Sequence, residues 1–218
     1  MKELEIFTKS TCGWAERLYS ALDAKAIAYR IVPSCDRLGR KTREFLALSP
    51  YARTPTIRYG DLVLYESALI NDFVEEQFPD RPLLPRDPGA RAKDRLWIYH
   101  CDHVLMPALT QLLAAQGSVA KELAGNRLDT ALRQIVDWGF RAAPPAPFWR
   151  GADIGLVDIA YQTFFQAVRY VQGMKDGPDI ALDLPLETWQ GAIAGHPCIR
   201  KAHDVAQAVP YADEAETR

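Results

Sequence analysis

Apolar and polar positions alternate in three short stretches near the start of the chain, and such alternation is typical of β-strands. Between these stretches the apolar positions recur at helical spacing, and Glu66-Ser67 opens a further helix after the third. Gly60-Asp61 divides the third stretch and predicts a tight hairpin, because glycine accepts the positive φ of such a turn. The predicted order is β-α-β-α-β-β-α. The three stretches are ELEIFT, AIAYRIV and TIRYGDLVLY.

Strands interleaved with helices predict a mixed four-stranded sheet covered by helices, an α/β domain over residues 1–78. A proline-rich segment, residues 79–89, cannot continue a helix and is interpreted as a linker. Residues 90–218 carry only helical spacing, so an all-α domain is predicted there. Pro107 is expected to kink the first helix of that domain.

The composition excludes several classes of function. Of the 218 residues, 48% are hydrophobic and 25% charged, which fits a globular protein. The net charge of −2 predicts neither a nucleic-acid partner nor a membrane surface, and no apolar stretch is long enough to span a bilayer. The first residues enter a strand pattern without a signal-peptide layout, which favours a cytoplasmic location. The four cysteines show no zinc-type spacing, so we expect reduced thiols and no metal.

Cys12 is the main candidate for chemistry. It lies between the first strand and the first helix, where the helix amides and dipole favour the thiolate, which is the reactive form. Lys9 and Arg17 would add positive charge. Ala15 stands where a dithiol motif has its second cysteine, so a redox role needs a second thiol from a small molecule. A buried, inert cysteine is the alternative of equal weight.

Two further pairs of residues are weak signals taken separately. Thr54-Pro55 opens a strand and is interpreted as a cis peptide that exposes the Thr54 backbone to a peptide-like ligand, or as an ordinary trans proline. Ser67 is a good N-cap for the third helix, and the same helix end is a possible carboxylate site. Glu66 would face a ligand ammonium group.

A half capping box is predicted at the start of a later helix. Asp158 stands three residues after Gly155, so its carboxylate can reach back to the Gly155 amide. We therefore expect Asp158 to serve folding more than chemistry, with a solvated first-turn aspartate as the alternative.

Taken together, these motifs resemble the glutathione transferases over nearly the whole chain. The resemblance implies a thioredoxin-like domain followed by an all-α domain, with glutathione as cosubstrate, a small-molecule second substrate and a homodimer. The cysteine with Trp14-Ala15-Glu16-Arg17 is most similar to omega-type cysteine transferases, which implies thioltransferase activity through a mixed disulfide. The motifs are STCGWAER, SPYARTPTI, LYESALI, PLLP and GLVDIAY.

The same resemblance implies roles for individual residues around glutathione. Cys12 would be the catalytic thiol. Thr54, before the cis proline Pro55, would pair with the cysteinyl backbone of glutathione, and Glu66 and Ser67 would hold its γ-glutamyl end.

The resemblance also implies residues for the glycine end of glutathione and for the second substrate. Arg40 or Lys41 would reach the glycine carboxylate of glutathione. Trp14, Tyr99 and His103 would line the pocket for the second substrate, or would simply pack between the domains.

This sequence departs from the family at Gly13, where the family usually has proline, and the sign of the effect on Cys12 is open. Cys35 is a minor candidate for a resolving thiol. Conjugation of glutathione to electrophiles, reductive deglutathionylation of quinone-like substrates, and a non-catalytic binding role remain alternatives, because a fold alone does not prove activity.

Overall fold

The computed structural model describes residues 2–142, 144–175 and 177–217. The first part confirms the predicted order of strands and helices. It comprises β1 (Leu4–Thr8), α1 (Gly13–Ala24), β2 (Arg30–Pro33), α2 (Arg43–Leu48), β3 (Thr56–Tyr59), β4 (Leu62–Tyr65) and α3 (Ser67–Gln77).

The four strands form one mixed sheet in the order β2-β1-β3-β4. β1 runs parallel to β2 and antiparallel to β3, and β3 pairs with β4 through the hairpin at Gly60, whose φ is 63°. Every residue of β1 is buried, as a central strand requires. Leu18 and Leu22 of α1 and Ile70 of α3 join the core cluster of the sheet. The carboxyl end of β1 therefore leads directly into the loop that carries Cys12.

The rest of the chain is a helical series, as predicted. Its elements are α4 (Pro88–His100), a π-helical turn (Cys101–Leu105), α5 (Met106–Ala114), α6 (Ser118–Gln134), a second π-helical turn (Ile135–Gly139), α7 (Leu156–Gln172), α8 (Leu184–Gly195), α9 (Pro197–Gln207) and a 3₁₀ turn (Glu214–Thr217). In the described residues, no helix has the length and apolar character that a membrane crossing requires.

Two details of the helices after residue 79 differ from the sequence-based expectation. α4 begins at Pro88, inside the predicted linker, because the Asp87 carboxylate accepts a 2.6 Å hydrogen bond from the Ala90 amide and proline suits a first helical turn. Pro107 follows a π-helical turn rather than a simple kink. A wider turn relieves the clash between the proline ring and the carbonyl of the residue four positions earlier.

The Asp158 carboxylate organises the start of α7. One oxygen accepts a 2.8 Å hydrogen bond from the Gly155 amide. The other accepts hydrogen bonds from the Trp149 amide at 2.8 Å and from the Trp189 indole at 2.6 Å. Burial raises the pKa of Asp158 from 3.8 to about 6, although these hydrogen bonds act in the opposite direction. The predicted half capping box is present, and Asp158 also joins two segments distant in sequence.

The chain forms two compact units, residues 1–83 with 197–218, and residues 84–196. This division differs from the predicted boundaries, which assign everything after residue 90 to the helical domain. The reason is that α9 packs on α1, where Ala202 and Ala206 enter the core cluster of the sheet. Spacing along the sequence identifies a helix, but it does not identify the surface that the helix covers.

Candidate active site

Cys12 is the N-cap residue of α1, with an extended backbone (φ −85°, ψ 99°). Its carbonyl accepts hydrogen bonds from the Ala15 and Glu16 amides, which fixes the first turn of the helix. The side chain is 6% exposed, so it is shielded from solvent. The thiol thus stands at the N-terminal end of a twelve-residue helix, which is the positive end of the helix dipole.

Thr54 is the residue that contacts the thiol. The Cys12 Sγ lies 3.3 Å from the Thr54 Oγ1 and 3.8 Å from the Thr54 carbonyl oxygen. A protonated thiol can donate to either oxygen, whereas a thiolate can only accept, and the Thr54 hydroxyl can turn its hydrogen toward it. The Thr54–Pro55 peptide bond is cis. The structure thus brings together two residues, Cys12 and Thr54, that the sequence analysis selected separately.

Positive φ angles at residues other than glycine occur in this part of the structure, and also at Ala26 and Arg81. Thr11, Ala52 and Glu66 have positive φ angles of 56°, 49° and 70°, although none is glycine. Thr11 precedes Cys12, and Ala52 lies two residues before Thr54. Such conformations persist only where their surroundings impose them, and they are common at binding and catalytic sites.

The start of α3 corrects one expectation. The N-cap is Glu66, not Ser67, and Ser67 is the buried first residue of the helix. The reason is conformational, because an N-cap has non-helical dihedrals and here Glu66 adopts them (φ 70°, ψ 107°). Within the described residues, the Glu66 side chain forms no capping hydrogen bond, and it is exposed. Its carboxylate is therefore available to a ligand.

Arg40 and Lys41 occupy different environments. Arg40 Nε donates to the Asp36 carboxylate at 2.6 Å, and the Arg40 guanidinium lies 3.4 Å from the Glu214 carboxylate. Lys41 Nζ donates to the carbonyl of Ala52, two residues before Thr54, at 2.5 Å. Of the two candidates for a carboxylate contact, Lys41 is the one directed toward the segment that carries Thr54.

Sequence reasoning missed Asp36, which organises the loop between β2 and α2, called here the Asp36 loop (residues 34–42). The Asp36 carboxylate accepts the amides of Leu38 and Arg40 at 2.9 and 3.0 Å, besides the Arg40 side chain. Burial acts to raise the pKa of Asp36, but these hydrogen bonds and one from Thr217 leave that pKa below its usual value. An aspartate whose carboxylate accepts a hydrogen bond from the backbone amide two residues further along is a recognised turn motif, and aspartate in a loop is visible in the sequence.

The predicted residues of a second-substrate pocket lie in different units. Trp14 is in α1, where the Arg17 guanidinium lies 5.2 Å from its ring centre. Tyr99 and His103 are neighbours in the helical unit, with ring centres 4.3 Å apart. His103 also lines a cavity of about 530 Å³ between α5 and α6, together with Pro107 and Arg127. The pocket itself stays a prediction.

The other three cysteines are reduced and buried. Burial raises the pKa of the Cys198 thiol to about 12, so this group is unreactive near neutral pH. The Cys101 sulfur donates to the Ala160 carbonyl in the helical core. Cys101 and Cys198 are thus packing residues, and the role of Cys35 as a resolving thiol stays a prediction.

Comparison with known proteins places this geometry in a family. Residues 11–77 match the family described as "Glutathione S-transferase, N-terminal domain". A "Probable glutathione transferase" of Aplysia californica is 33% identical over 90 residues, which are 41% of this chain and 96% of that protein. "Glutathione S-transferase U13" of Arabidopsis thaliana is 26% identical over 71% of this chain and 69% of its own length. Other relatives are matched over only about half their length (52% and 51%).

A solved structure agrees with the sequence comparison. Glutathione transferase Omega 3C from Trametes versicolor superposes with a TM-score of 0.81 at 25% identity, covering 93% of this chain and 89% of that one. The mixed four-stranded sheet with its helices, followed by a helical region, is a thioredoxin-like transferase architecture. The chain belongs to the glutathione transferase superfamily.

Proposed function

We propose that the protein is a glutathione-dependent thioltransferase that acts through a mixed disulfide between Cys12 and glutathione. The observation that carries the proposal is the position of the Cys12 sulfur at the N-terminus of α1, 3.3 Å from the Thr54 hydroxyl. A nucleophilic thiol requires both a field that favours the thiolate and a hydrogen-bond donor that follows its charge. Cys12 has both.

The proposed reaction is two successive thiol–disulfide exchanges. The Cys12 thiolate attacks the glutathionyl sulfur of a mixed disulfide, a Cys12–glutathione disulfide forms, and the substrate leaves as a thiolate that takes up a proton. A glutathione thiolate then attacks the glutathionyl sulfur bound to Cys12. Glutathione disulfide leaves, and the Cys12 thiolate is restored. The second glutathione supplies the thiol that Ala15 lacks.

Binding of the tripeptide uses the residues around the sulfur. The backbone of Thr54 would pair with the cysteinyl unit, as an added strand pairs with a sheet edge. Glu66 would contact the γ-glutamyl ammonium, while the Ser67 end of α3 would receive its carboxylate. Lys41 would contact the glycine carboxylate, since Arg40 is already held by Asp36.

Conjugation of glutathione to electrophiles is the second candidate. It is favoured by relatives named glutathione S-transferase. In that case glutathione itself would be the nucleophile and Cys12 would only line the site. We also expect a homodimer in the cytoplasm and a small-molecule second substrate.

The deciding experiment compares turnover of a glutathione mixed disulfide with conjugation of an aryl halide. The variants are wild type, Cys12→Ser and, as a matched thiol control, Cys198→Ala. We expect disulfide turnover to fall on the order of 10³-fold or more in Cys12→Ser, because serine cannot form the disulfide, and to persist in Cys198→Ala. Conjugation that persists or rises in Cys12→Ser, with little disulfide turnover in wild type, would support the second candidate instead.

A further inference from the structure

The segment after α9 contacts the Asp36 loop, which belongs to the same compact unit. This segment, called here the C-terminal strap (residues 208–217), follows α9 and ends in the 3₁₀ turn. The amide of Ala212 donates a 3.0 Å hydrogen bond to the carbonyl of Cys35, inside the Asp36 loop. Ala212 is only 8% exposed, so this hydrogen bond is shielded from water.

Two side chains of the strap contact the centre of the same loop. The Thr217 hydroxyl lies 3.2 Å from the Asp36 carboxylate, and the Glu214 carboxylate lies 3.4 Å from the Arg40 guanidinium. Asp36 is 2% exposed and already holds the Arg40 side chain and two loop amides. The strap therefore completes the hydrogen bonding of the carboxylate that shapes the loop.

The Asp36 loop in turn places Lys41. Cys35 and Lys41 face each other as an isolated antiparallel pair, and the Thr42 amide donates to the Ser34 carbonyl at 3.0 Å. Ala212 thus bonds to the residue paired with Lys41. A shift of Cys35 would displace Lys41, whose ammonium lies against the Ala52 carbonyl beside the Thr54 segment.

The strap continues a connection that α9 makes to the nucleophile loop. The Thr11 amide donates to the Ala206 carbonyl of α9 at 3.1 Å, and Thr11 is the strained residue before Cys12. α9 therefore contacts the loop that carries Cys12, whereas the strap contacts the Asp36 loop, which carries Lys41. The two connections are separable, because removal of the strap leaves Ala206 in place.

We propose that the C-terminal strap is a positioning element for glutathione, which holds the Asp36 loop so that Lys41 meets the glycine carboxylate. This inference rests on the proposed function. It concerns ground-state binding, so its loss should raise the KM for glutathione and leave kcat unchanged. The shielded Ala212 hydrogen bond should contribute more than the exposed Glu214–Arg40 ion pair, since exposed ion pairs contribute little.

The test uses the full chain with Ala212→Pro, which removes the amide donor, and a second variant that lacks residues 210–218. Glu216→Gln is the matched control, because Glu216 is an exposed carboxylate of the same 3₁₀ turn. We expect the KM for glutathione to rise about fivefold in both strap variants, and Glu216→Gln to match wild type. Amide hydrogen exchange should become faster over residues 34–42, and alkylation of Cys12 should keep its rate.

Three results would overturn the inference. An unchanged KM in both strap variants would show that the strap does not position the loop, while the proposed function would survive. A parallel loss of kcat and of Cys12 alkylation would show general destabilisation rather than positioning. Absence of glutathione turnover in wild type would remove the proposed function itself, and the role of the strap in glutathione binding with it.

Discussion

The N-termini of α1 and α3, at the candidate site, differ from the N-terminus of α7 in the side-chain hydrogen bonds at their first turns. Every helix leaves backbone amides without partners at its first turn. At α7, the buried Asp158 carboxylate accepts hydrogen bonds from the Gly155 amide, the Trp149 amide and the Trp189 indole. At α1 and α3, the N-cap side chains of Cys12 and Glu66 form no capping hydrogen bond among the described residues. The first arrangement serves stability, and the second suits a ligand.

The backbone shows the same contrast. Gly155 has an extended conformation (φ −127°, ψ 178°), whereas Thr11 and Glu66 beside the site have positive φ. Strain at these two residues costs on the order of 1–3 kcal/mol each, and the remaining structure must offset it. Changes at α7 should therefore affect folding, and changes around Cys12 should affect reactivity.

Replacement of Asp158 should have the largest effect on stability. In Asp158→Asn an NH2 group replaces one of the two acceptor oxygens, so a buried N–H donor loses its hydrogen-bond acceptor. We expect the free energy of unfolding at pH 7 to fall by about 3 kcal/mol, measured by urea denaturation, with unchanged Cys12 alkylation in the folded protein. The exposed Asp153→Asn is the control and should stay within about 0.5 kcal/mol of wild type. An equal loss in both variants would contradict the role of Asp158.

The raised pKa of Asp158 also predicts that the free energy of unfolding depends on pH. Burial raises the pKa of Asp158 from 3.8 to about 6, so between these values the folded state retains a proton that the unfolded state has lost. Stability from this group therefore falls as pH rises through that window. The stability difference between wild type and Asp158→Asn should shrink by about 2 kcal/mol from pH 4 to pH 6. A difference that grows over this range would show that the carboxylate is stabilised in its charged form.

At the candidate site, Thr54→Val should reduce reactivity without a comparable loss of stability. The variant removes the hydroxyl 3.3 Å from the Cys12 sulfur but retains the shape of the side chain. We expect iodoacetamide to alkylate Cys12 about tenfold more slowly at neutral pH, because one hydrogen bond to the thiolate is lost. Thr54→Ser retains the hydroxyl and should stay close to wild type. Equal rates in the two variants would show that the hydroxyl does not activate the thiol.

The smallest expected effect concerns an ordinary cap. Asp87 caps α4 through the Ala90 amide, on the surface of the molecule. Asp87→Ala should lower the free energy of unfolding by about 1 kcal/mol and leave the KM for glutathione unchanged. Asp80→Ala, another exposed aspartate before α4, should change neither quantity. A change in KM would mean that caps and ligand contacts are not separable in this chain.

Local patterns predicted much of this architecture. The alternation of apolar residues located β1, β3 and β4, whereas β2 begins four residues later than the predicted stretch 26–32. The three-residue spacing from Gly155 to Asp158 located the start of α7. The sequence misassigned the cap of α3, because Ser67 is the better capping residue but the backbone at Glu66 decides the position. It also left Arg40 and Lys41 equivalent, since both are long cations. Only the partners at the far end of each side chain distinguish them.

Long-range contacts were beyond the reach of sequence patterns. The spacing of apolar residues predicted helices over residues 90–218, but not the packing of α9 on α1 beside Cys12. The strap hydrogen bond from Ala212 to Cys35 joins residues that are far apart along the chain. Backbone hydrogen bonds of this kind involve no side chain, so they leave no mark in the identity of either residue.

The most direct test of the central claim is to identify which cysteine forms a disulfide with glutathione. Wild-type protein would be incubated with glutathione disulfide, and the attached group located by intact mass and peptide mapping. We predict one glutathionyl group per chain, on Cys12, removed by added glutathione and absent from Cys12→Ser. Attachment to a different cysteine, or no attachment while the protein remains folded, would contradict a mechanism that passes through a Cys12–glutathione disulfide.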